Sequence, residues 1–329
     1  MKRMWTKVKE MLSYIFPVPA RTFHLKLLRM GEQQHQDMQE IKHTLGEYAK
    51  LLAIGEQQHQ DMQEIKHTLG EYAKLFAMGE QQHQDMREIK YTLEKSTVDT
   101  QNKVNHVQST ADEILWANIF NSTIHENDWL ATKNLSPGRW AVGYPFLYLL
   151  YRILKDTKPT RILELGLGET TRIISQYASG HRDVEHFVVE HDPEWITFFN
   201  NTFNVSGNTK IVQLPLAYQP YKESESVRKY EGFSDYFSNG KYDLICIDGP
   251  QGGDAEYARI DTLSLLPAHL SDSFAILVDD YERIPEQKMV RELLTNLEEA
   301  GIEYARNVYR GTKYVHIVCS NNLKFLTSL

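Results

Sequence analysis

The sequence RILELGLGETTR, residues 161–172, sets the architecture of the second half of the chain. The apolar run 162–165 predicts a strand, which turns through Gly166 and Gly168 into a helical pattern that begins at Thr170. Glycines in such a turn let the backbone approach a ligand closely, and free N–H groups at a helix start face polar or anionic atoms. The stretch therefore predicts a nucleotide-binding turn, although it lacks the third glycine of the dinucleotide fingerprint.

Strand-like runs alternate with helical patterns from this turn to the C-terminus, and several predicted strands end in acids. These acids are Glu190, Asp248 and the pair Asp279 and Asp280. Residues 303–309 and 313–320 predict a closing hairpin. The alternation predicts an α/β fold with a doubly wound parallel sheet, to which the hairpin adds an antiparallel strand. Because ligands of such sheets bind beyond the carboxyl ends of the strands, these acids are candidate site residues.

Three segments of this half resemble the class I S-adenosylmethionine-dependent methyltransferases: ELGLGET at 164–170, VVE at 188–190 and YDLICID at 242–248. The combination of Gly-Leu-Gly, Glu-x-Asp-Pro-x-Trp, Asp-Gly-Pro-x-Gly and Asp-Asp is similar to polysaccharide O-methyltransferases of the glucuronoxylan 4-O-methyltransferase type. The resemblance implies a Rossmann-like class I methyltransferase sheet of seven strands in the domain 139–329. It also implies S-adenosylmethionine as cofactor and a saccharide or glycan hydroxyl as acceptor.

The resemblance also assigns cofactor-binding residues. It places Glu164 and Gly166 near the methionine end, Glu190 on the ribose and Asp248 beside the reacting centre. The full predicted set is Glu164, Gly166, Gly168, Thr170, Glu190 and Asp248. A carboxylate 22 residues past Gly168 can accept both ribose hydroxyls, which supports Glu190 independently of the resemblance. The alternative is an ordinary acid before a helix that Asp192 caps.

Asp248, Asp279 and Asp280 resemble the metal-binding acids of catechol-type O-methyltransferases, which implies a divalent cation, Mg²⁺ or Mn²⁺, on the acceptor hydroxyl. A hard cation lowers the pKa of a bound hydroxyl group. Asp280 stands where that group carries an amide, and no lysine follows Asp248 directly, so a metal-free reaction stays open. In that case Asp248 or His269 is the predicted catalytic general base. The structural alternatives are a turn cap for Asp248 and a helix-end residue for His269.

Two further features lie near the predicted site. We expect Arg259 either to bind a uronic-acid carboxylate or to pair with Asp261 or Glu256 at the surface. The tyrosine-rich stretch 217–240 predicts an insertion whose rings serve sugar stacking or simple packing.

Residues 31–118 contain near-identical copies that start 24 residues apart, at Gly31, Gly55 and Gly79. Apolar residues step by three and four within a copy, which predicts a coiled-coil seam, and the glycines weaken the helix. Unbroken, the segment would form a rod of about 130 Å at 1.5 Å per residue. A rod cannot bury its own stripe, so we expect self-association, with residues 119–138 as the linker to the catalytic domain.

Residues 1–30 form a basic amphipathic pattern that favours peripheral contact with the inner face of a membrane, a partner helix or, less well, a signal peptide. The net charge of −8 predicts no binding to nucleic acid. Cys246 and Cys319 lie in apolar runs and predict buried thiols, which favours a cytoplasmic location. The alternative functions are a non-catalytic oligomeric scaffold and a nicotinamide-dependent enzyme, and the missing third glycine disfavours the latter.

Overall fold

The computed structural model describes residues 18–54, 59–125, 129–252 and 255–329. The chain divides into two compact units, residues 1–105 and 106–329. Within the described ranges, no helix is both long and apolar enough to cross a membrane. Most of the predicted membrane-contact segment, residues 1–17, lies outside the described residues, so that prediction stays untested.

The repeats form two helices, α1 (Val18–Ile54) and α2 (His59–Thr123). The rings of His35 and His83 stack with centroids 4.3 Å apart, and a Cβ on Gly31 would lie 3.0 Å from Met86 Cγ. Residues later in α1 therefore contact residues earlier in α2, so the two helices run antiparallel. The described residues do not form the single rod that an unbroken helix would give, because two copies of the same apolar stripe pack on each other within one chain.

A seven-stranded sheet organises the second unit, with the order β3-β2-β1-β6-β7-β9-β8. The strands of this sheet are β1 (Arg161–Leu165), β2 (Glu185–Glu190), β3 (Thr209–Gln213), β6 (Tyr242–Ile247), β7 (Leu270–Val278), β8 (Tyr304–Arg310) and β9 (Tyr314–Ser320). The first five are parallel, and β9 is antiparallel to β7 and β8. The predicted Rossmann-like sheet with a terminal hairpin is thus confirmed.

Helices cover both faces of this sheet. They are α3 (Tyr144–Thr157), α4 (Glu169–Gly180), α5 (Pro193–Thr202), α6 (Phe233–Phe237) and α7 (Ile284–Glu299). Successive side chains of a strand point to opposite faces, so Leu244 and Cys246 join the core under α3 and α4, whereas Ile245 and Ile247 join the core under α7. Both cysteines are free and buried, as predicted.

The tyrosine-rich stretch forms a hairpin of β4 (Leu216–Tyr221) and β5 (Ser224–Tyr230), followed by α6. Tyr230 is buried, and the Tyr221 hydroxyl donates a 2.5 Å hydrogen bond to Glu292 on α7. These two rings therefore serve packing, whereas Tyr218 is 65 % exposed.

The last turns of α2 pack on the α/β domain. Trp116 Nε1 donates to the Arg310 carbonyl at 3.0 Å, and the Glu113 carboxylate accepts from Tyr144 N at 2.6 Å and Thr312 N at 2.8 Å. Phe120 is 1 % exposed in the core beneath α3. The helix thus continues through residues 119–123, where the sequence predicts the start of a linker.

We expect Phe120→Ala to lower the free energy of unfolding by about 3–5 kcal/mol, because it leaves a cavity in the core. Urea denaturation of the full chain, followed by tryptophan fluorescence, measures the change. The matched control is Val98→Ala on the same helix, where the side chain is 55 % exposed and the expected change is within about 0.5 kcal/mol. Equal losses for the two variants would show that the end of α2 does not stabilise the domain.

Candidate active site

A cleft with a volume of about 410 Å³ lies beyond the carboxyl ends of β1, β2 and β6. Its lining includes Gly166, Gly168, Glu190, Asp248 and Trp140. Small-molecule sites have volumes of about 300–1,000 Å³ and occur at this edge of parallel sheets. The structure therefore brings most of the predicted cofactor-binding residues to one ligand-sized cleft.

The glycine turn is shaped by its contact with the end of β6. Gly166 has a φ of +101°, and a Cβ there would lie 3.3 Å from the carbonyl carbon of Asp248. Only glycine adopts this conformation without strain, so the turn can pack against the β6 end. A Cβ on Gly168 would meet no atom within 4 Å, since its position opens into the cleft. This open space fits the close approach of a nucleoside cofactor to the backbone.

The Glu190 carboxylate links the turn to the end of β2. Its Oε1 accepts from His191 N at 2.6 Å and Asp192 N at 3.0 Å, and its Oε2 accepts from Leu167 N at 3.2 Å. A carboxylate oxygen accepts about two hydrogen bonds, so Oε2 can accept one more. Asp192 caps α5 by accepting from Glu194 N at 2.9 Å, as the alternative interpretation of this segment expected.

Glu164 lies beneath the cleft rather than on its wall. It is 1 % exposed, accepts a hydrogen bond from the Thr170 hydroxyl, and places Oε2 3.0 Å from His186 Nε2. Thr170 reaches the lining of the cleft, but Glu164 does not. The predicted contact of Glu164 with the cofactor is therefore corrected. Because strand side chains alternate, Glu164 shares the face of Ile162, which α4 covers.

His269 lies at the opposite edge of the sheet, so its predicted role as general base is wrong. The His269 carbonyl accepts from Tyr242 N at the start of β6, whereas Asp279 N donates to the Ile247 carbonyl at the end of β6. Because the register of β7 shifts along β6, five residues of β6 separate the two, which is about 17 Å at about 3.3 Å per residue. His269 Nδ1 instead lies 2.9 Å from the Gly240 carbonyl oxygen, which is a local structural contact.

The predicted acids do meet. Carboxylate oxygens of Asp248, Asp279 and Asp280, hereafter the acidic cluster, lie within 4.8 Å of one another. Burial and the neighbouring Asp279 raise the pKa of Asp248 well above its ordinary value. Burial opposes ionisation of Asp280 as well, but Arg259 and Lys313 outweigh it and lower the pKa of Asp280.

Two side-chain cations, a buried Arg259 and a partly buried Lys313, contact the acidic cluster. The Arg259 guanidinium lies 2.5 Å from Asp280 Oδ2 and 3.3 Å from Asp248 Oδ1. Lys313 Nζ lies 3.1 Å from Asp279 Oδ2 and 3.2 Å from Asp280 Oδ1. Arg259 is only 2 % exposed, so neither predicted role, a grip on a substrate carboxylate or a surface pair, is correct. No local sequence pattern indicates Lys313, because it reaches the cluster from the distant β8–β9 hairpin.

These contacts decide how well a divalent ion fits the acidic cluster. Arg259 and Lys313 contact one oxygen each of Asp248 and Asp279 and both oxygens of Asp280, whereas Asp279 Oδ1 is buried without a hydrogen-bond partner. A metal ion at the remaining oxygens would lie beside two side-chain cations. Asp279 and Asp280 have side chains 1 % and 3 % exposed, whereas Asp248, at 21 %, reaches the cleft. The residues in this arrangement do not fit a divalent ion that also contacts an acceptor hydroxyl.

No protein-family model and no curated protein matches the chain. Among solved structures, an O-methyltransferase of tomaymycin synthesis from Streptomyces achromogenes, in complex with SAM, is 10% identical with a TM-score of 0.41, over 65% of this chain and 98% of its own. An O-methyltransferase from Bacillus cereus in complex with SAH is 11% identical with a TM-score of 0.38, over 64% and 91%. A Podospora anserina methyltransferase bound to SAH is 15% identical with a TM-score of 0.36, over 68% and 96%. At this level of similarity, the function of the chain has to be argued from its own cleft.

We expect Arg259→Leu to destabilise the chain by about 3–5 kcal/mol, because it leaves buried carboxylates without their cation. Urea denaturation at neutral pH measures the loss. Arg291→Leu on the exposed face of α7 is the matched control, with an expected change within about 0.5 kcal/mol. A loss for Arg259→Leu no larger than the control would contradict the role of Arg259 in the cluster.

Proposed function

We propose that the chain is an S-adenosylmethionine-dependent O-methyltransferase that acts on a saccharide or polysaccharide hydroxyl. The observation that carries the proposal is the meeting of the Gly166–Gly168 turn, Glu190 and Asp248 at one cleft. A turn open to a nucleoside, a carboxylate with a free acceptor site and a second carboxylate across the cleft are what this reaction requires.

Each residue has a distinct role in the proposed reaction. Glu190 Oε2 binds a ribose hydroxyl, and the Gly166–Gly168 turn leaves room for the ligand against the backbone. When bound, S-adenosylmethionine supplies a methyl carbon that the acceptor oxygen attacks, while the electron pair of the broken carbon–sulfur bond stays on sulfur. Asp248 accepts the hydroxyl proton, and its raised pKa makes it a stronger base than an ordinary aspartate. Arg259 holds the Asp248 carboxylate in place.

Aromatic side chains at the cleft support a saccharide as the acceptor. Trp140 is 84 % exposed, and Trp195 and Phe198 are 38 % and 51 % exposed, although all three line the cleft. The turn that carries Trp140 is closed by a 2.9 Å hydrogen bond from Gly138 N to the Val142 carbonyl. Such rings present an apolar face on which a sugar ring can stack.

The exposed stripe of α2 favours a second candidate function, that of an oligomeric scaffold. Val104, Val107 and Ile114 are each more than half exposed and follow the predicted seam. We propose that a second copy of the chain covers this stripe, which sedimentation equilibrium tests directly. Self-association and catalysis are compatible, and methyl transfer separates an enzyme from a scaffold that only binds the cofactor. Membrane contact through residues 1–30 remains a prediction from the sequence.

Isothermal titration should show that the full chain binds S-adenosylmethionine, and that Glu190→Ala weakens the binding by about 1–3 kcal/mol through loss of a charged hydrogen bond. The control is Glu185→Ala at the exposed start of the same strand, where the affinity should not change. Absence of heat with folded wild-type chain would refute cofactor binding. An unchanged affinity in Glu190→Ala would remove that residue from the site.

Asp248→Asn should lower the rate of methyl transfer about 10²–10⁴-fold, because an amide cannot accept the hydroxyl proton. The assay follows radiolabelled methyl groups from S-adenosylmethionine into a panel of oligosaccharides, and calorimetry confirms that the variant still binds the cofactor. Asp235→Asn, at an exposed position of α6, serves as the control and should keep the wild-type rate. A wild-type rate in Asp248→Asn would exclude Asp248 as the base.

A further inference from the structure

The acidic cluster has the composition of a cation site, yet its inner side already holds two side-chain cations. Lys313 Nζ bridges Asp279 Oδ2 at 3.1 Å and Asp280 Oδ1 at 3.2 Å. Arg259 bridges Asp280 Oδ2 and Asp248 Oδ1, at 2.5 and 3.3 Å. Every carboxylate of the cluster therefore has an oxygen bound to a cation of the chain itself.

Cations of the chain itself already offset much of the negative charge of this region. The carboxylates are those of Asp248, Asp279, Asp280, Glu282 and Glu286, and the cations are Arg259, Lys313 and Arg283. A divalent ion among them would lie next to an ammonium and a guanidinium that are largely shielded from water, at 12 % and 2 % exposure. Buried like charges repel strongly because little solvent screens them.

The position of Lys313 is built by the fold. The residue lies directly before β9, the strand that pairs with β7, and Asp279 and Asp280 directly follow β7. The antiparallel register pairs Val278 with His316, which brings the start of β9 to the end of β7. The pairing of β9 with β7 thus places the Lys313 ammonium beside the carboxylates.

We propose that Lys313 stands in place of the divalent ion, so that the acidic cluster excludes metal and the proposed methyl transfer proceeds without it. Lys313 and Arg259 are then positioning residues: Lys313 neutralises Asp279 and Asp280, and Arg259 orients the carboxylate of Asp248 toward the cleft. The hydroxyl proton passes to Asp248, with no metal-bound oxygen in the reaction. This inference rests on the proposed function for its catalytic meaning, but the exclusion of metal can be tested separately.

The experiment measures Mn²⁺ binding to the full chain by electron paramagnetic resonance after dialysis against EDTA. We expect no Mn²⁺ bound by the wild type up to about 1 mM, which is near the weak limit of protein sites for hard cations. Lys313→Gln frees oxygens of Asp279 and Asp280 and should gain a site that binds Mn²⁺ at least about tenfold more tightly. Asp279→Asn in the Lys313→Gln background should abolish that site.

Controls separate the outcomes. Lys313→Arg keeps the cation and should still exclude Mn²⁺, and Lys324→Gln, on an exposed lysine near the C-terminus, should behave as the wild type. Circular dichroism verifies that each variant is folded. If Lys313→Gln does not fold, the comparison of the wild type with Asp279→Asn decides the matter. The proposal is overturned if the wild type binds Mn²⁺ and Asp279→Asn removes that binding. A folded Lys313→Gln that gains no site overturns it as well.

Calorimetry with S-adenosylmethionine on the same samples distinguishes this inference from the proposed function. If the chain excludes Mn²⁺ as expected but binds no S-adenosylmethionine, the assignment of Lys313 stands and the methyltransferase proposal fails. If the chain binds S-adenosylmethionine and the wild type also binds Mn²⁺ through Asp279, the proposed function stands and the metal-free reaction fails.

Discussion

The parallel pairing of β1 with β2 and β6 is the constraint on which the site depends. Gly166 N donates to the Val189 carbonyl and Asp248 N donates to the Leu165 carbonyl, both at 2.9 Å, so the ends of three strands are joined by main-chain hydrogen bonds. This pairing brings residues 166, 190 and 248 to one edge although they are far apart in the chain. Since Glu190 and Asp248 lie at strand ends that are joined by main-chain hydrogen bonds, their carboxylates are held before any ligand arrives.

Buried charge is the second constraint, and the chain satisfies it internally. Arg259 donates to the Asp279 carbonyl at 2.8 Å as well as to the side chain of Asp280, so one guanidinium ties the backbone and the carboxylates at the end of β7. Its own backbone has a φ of +58°, which a residue other than glycine adopts at a cost that its contacts must offset. A group of carboxylates that would otherwise repel each other becomes a rigid support for Asp248.

The repeats show how one apolar stripe is divided between two uses. Where α1 faces α2, glycines lie at the close approach of the helices: Gly31 faces Met86, and Gly79 faces Met38. Glycine weakens an isolated helix, but here the absence of a side chain lets the partner pack closely. Farther along α2 the stripe is exposed at Val104 and Val107, and near the helix end Trp116 and Phe120 bind the α/β domain. The helix α2 thus contributes both to the repeat segment and to the core of the α/β domain.

Much of the fold follows from the sequence alone, because local patterns carry it: the apolar runs and the glycine turn define the strands, and the acids after them mark the ligand edge. Glu190 and Asp248 lie at the cleft for that reason. Local sequence patterns do not indicate which distant segments pair with each other, so only the tertiary structure shows the positions that depend on such pairing. The pairing of β7 with β6 places His269 about 17 Å from Asp279, at the other end of the strands, and strand alternation places Glu164 beneath the cleft. The β8–β9 hairpin brings Lys313 onto the acidic cluster, because strand register, unlike composition, is set by contacts that only the folded chain makes.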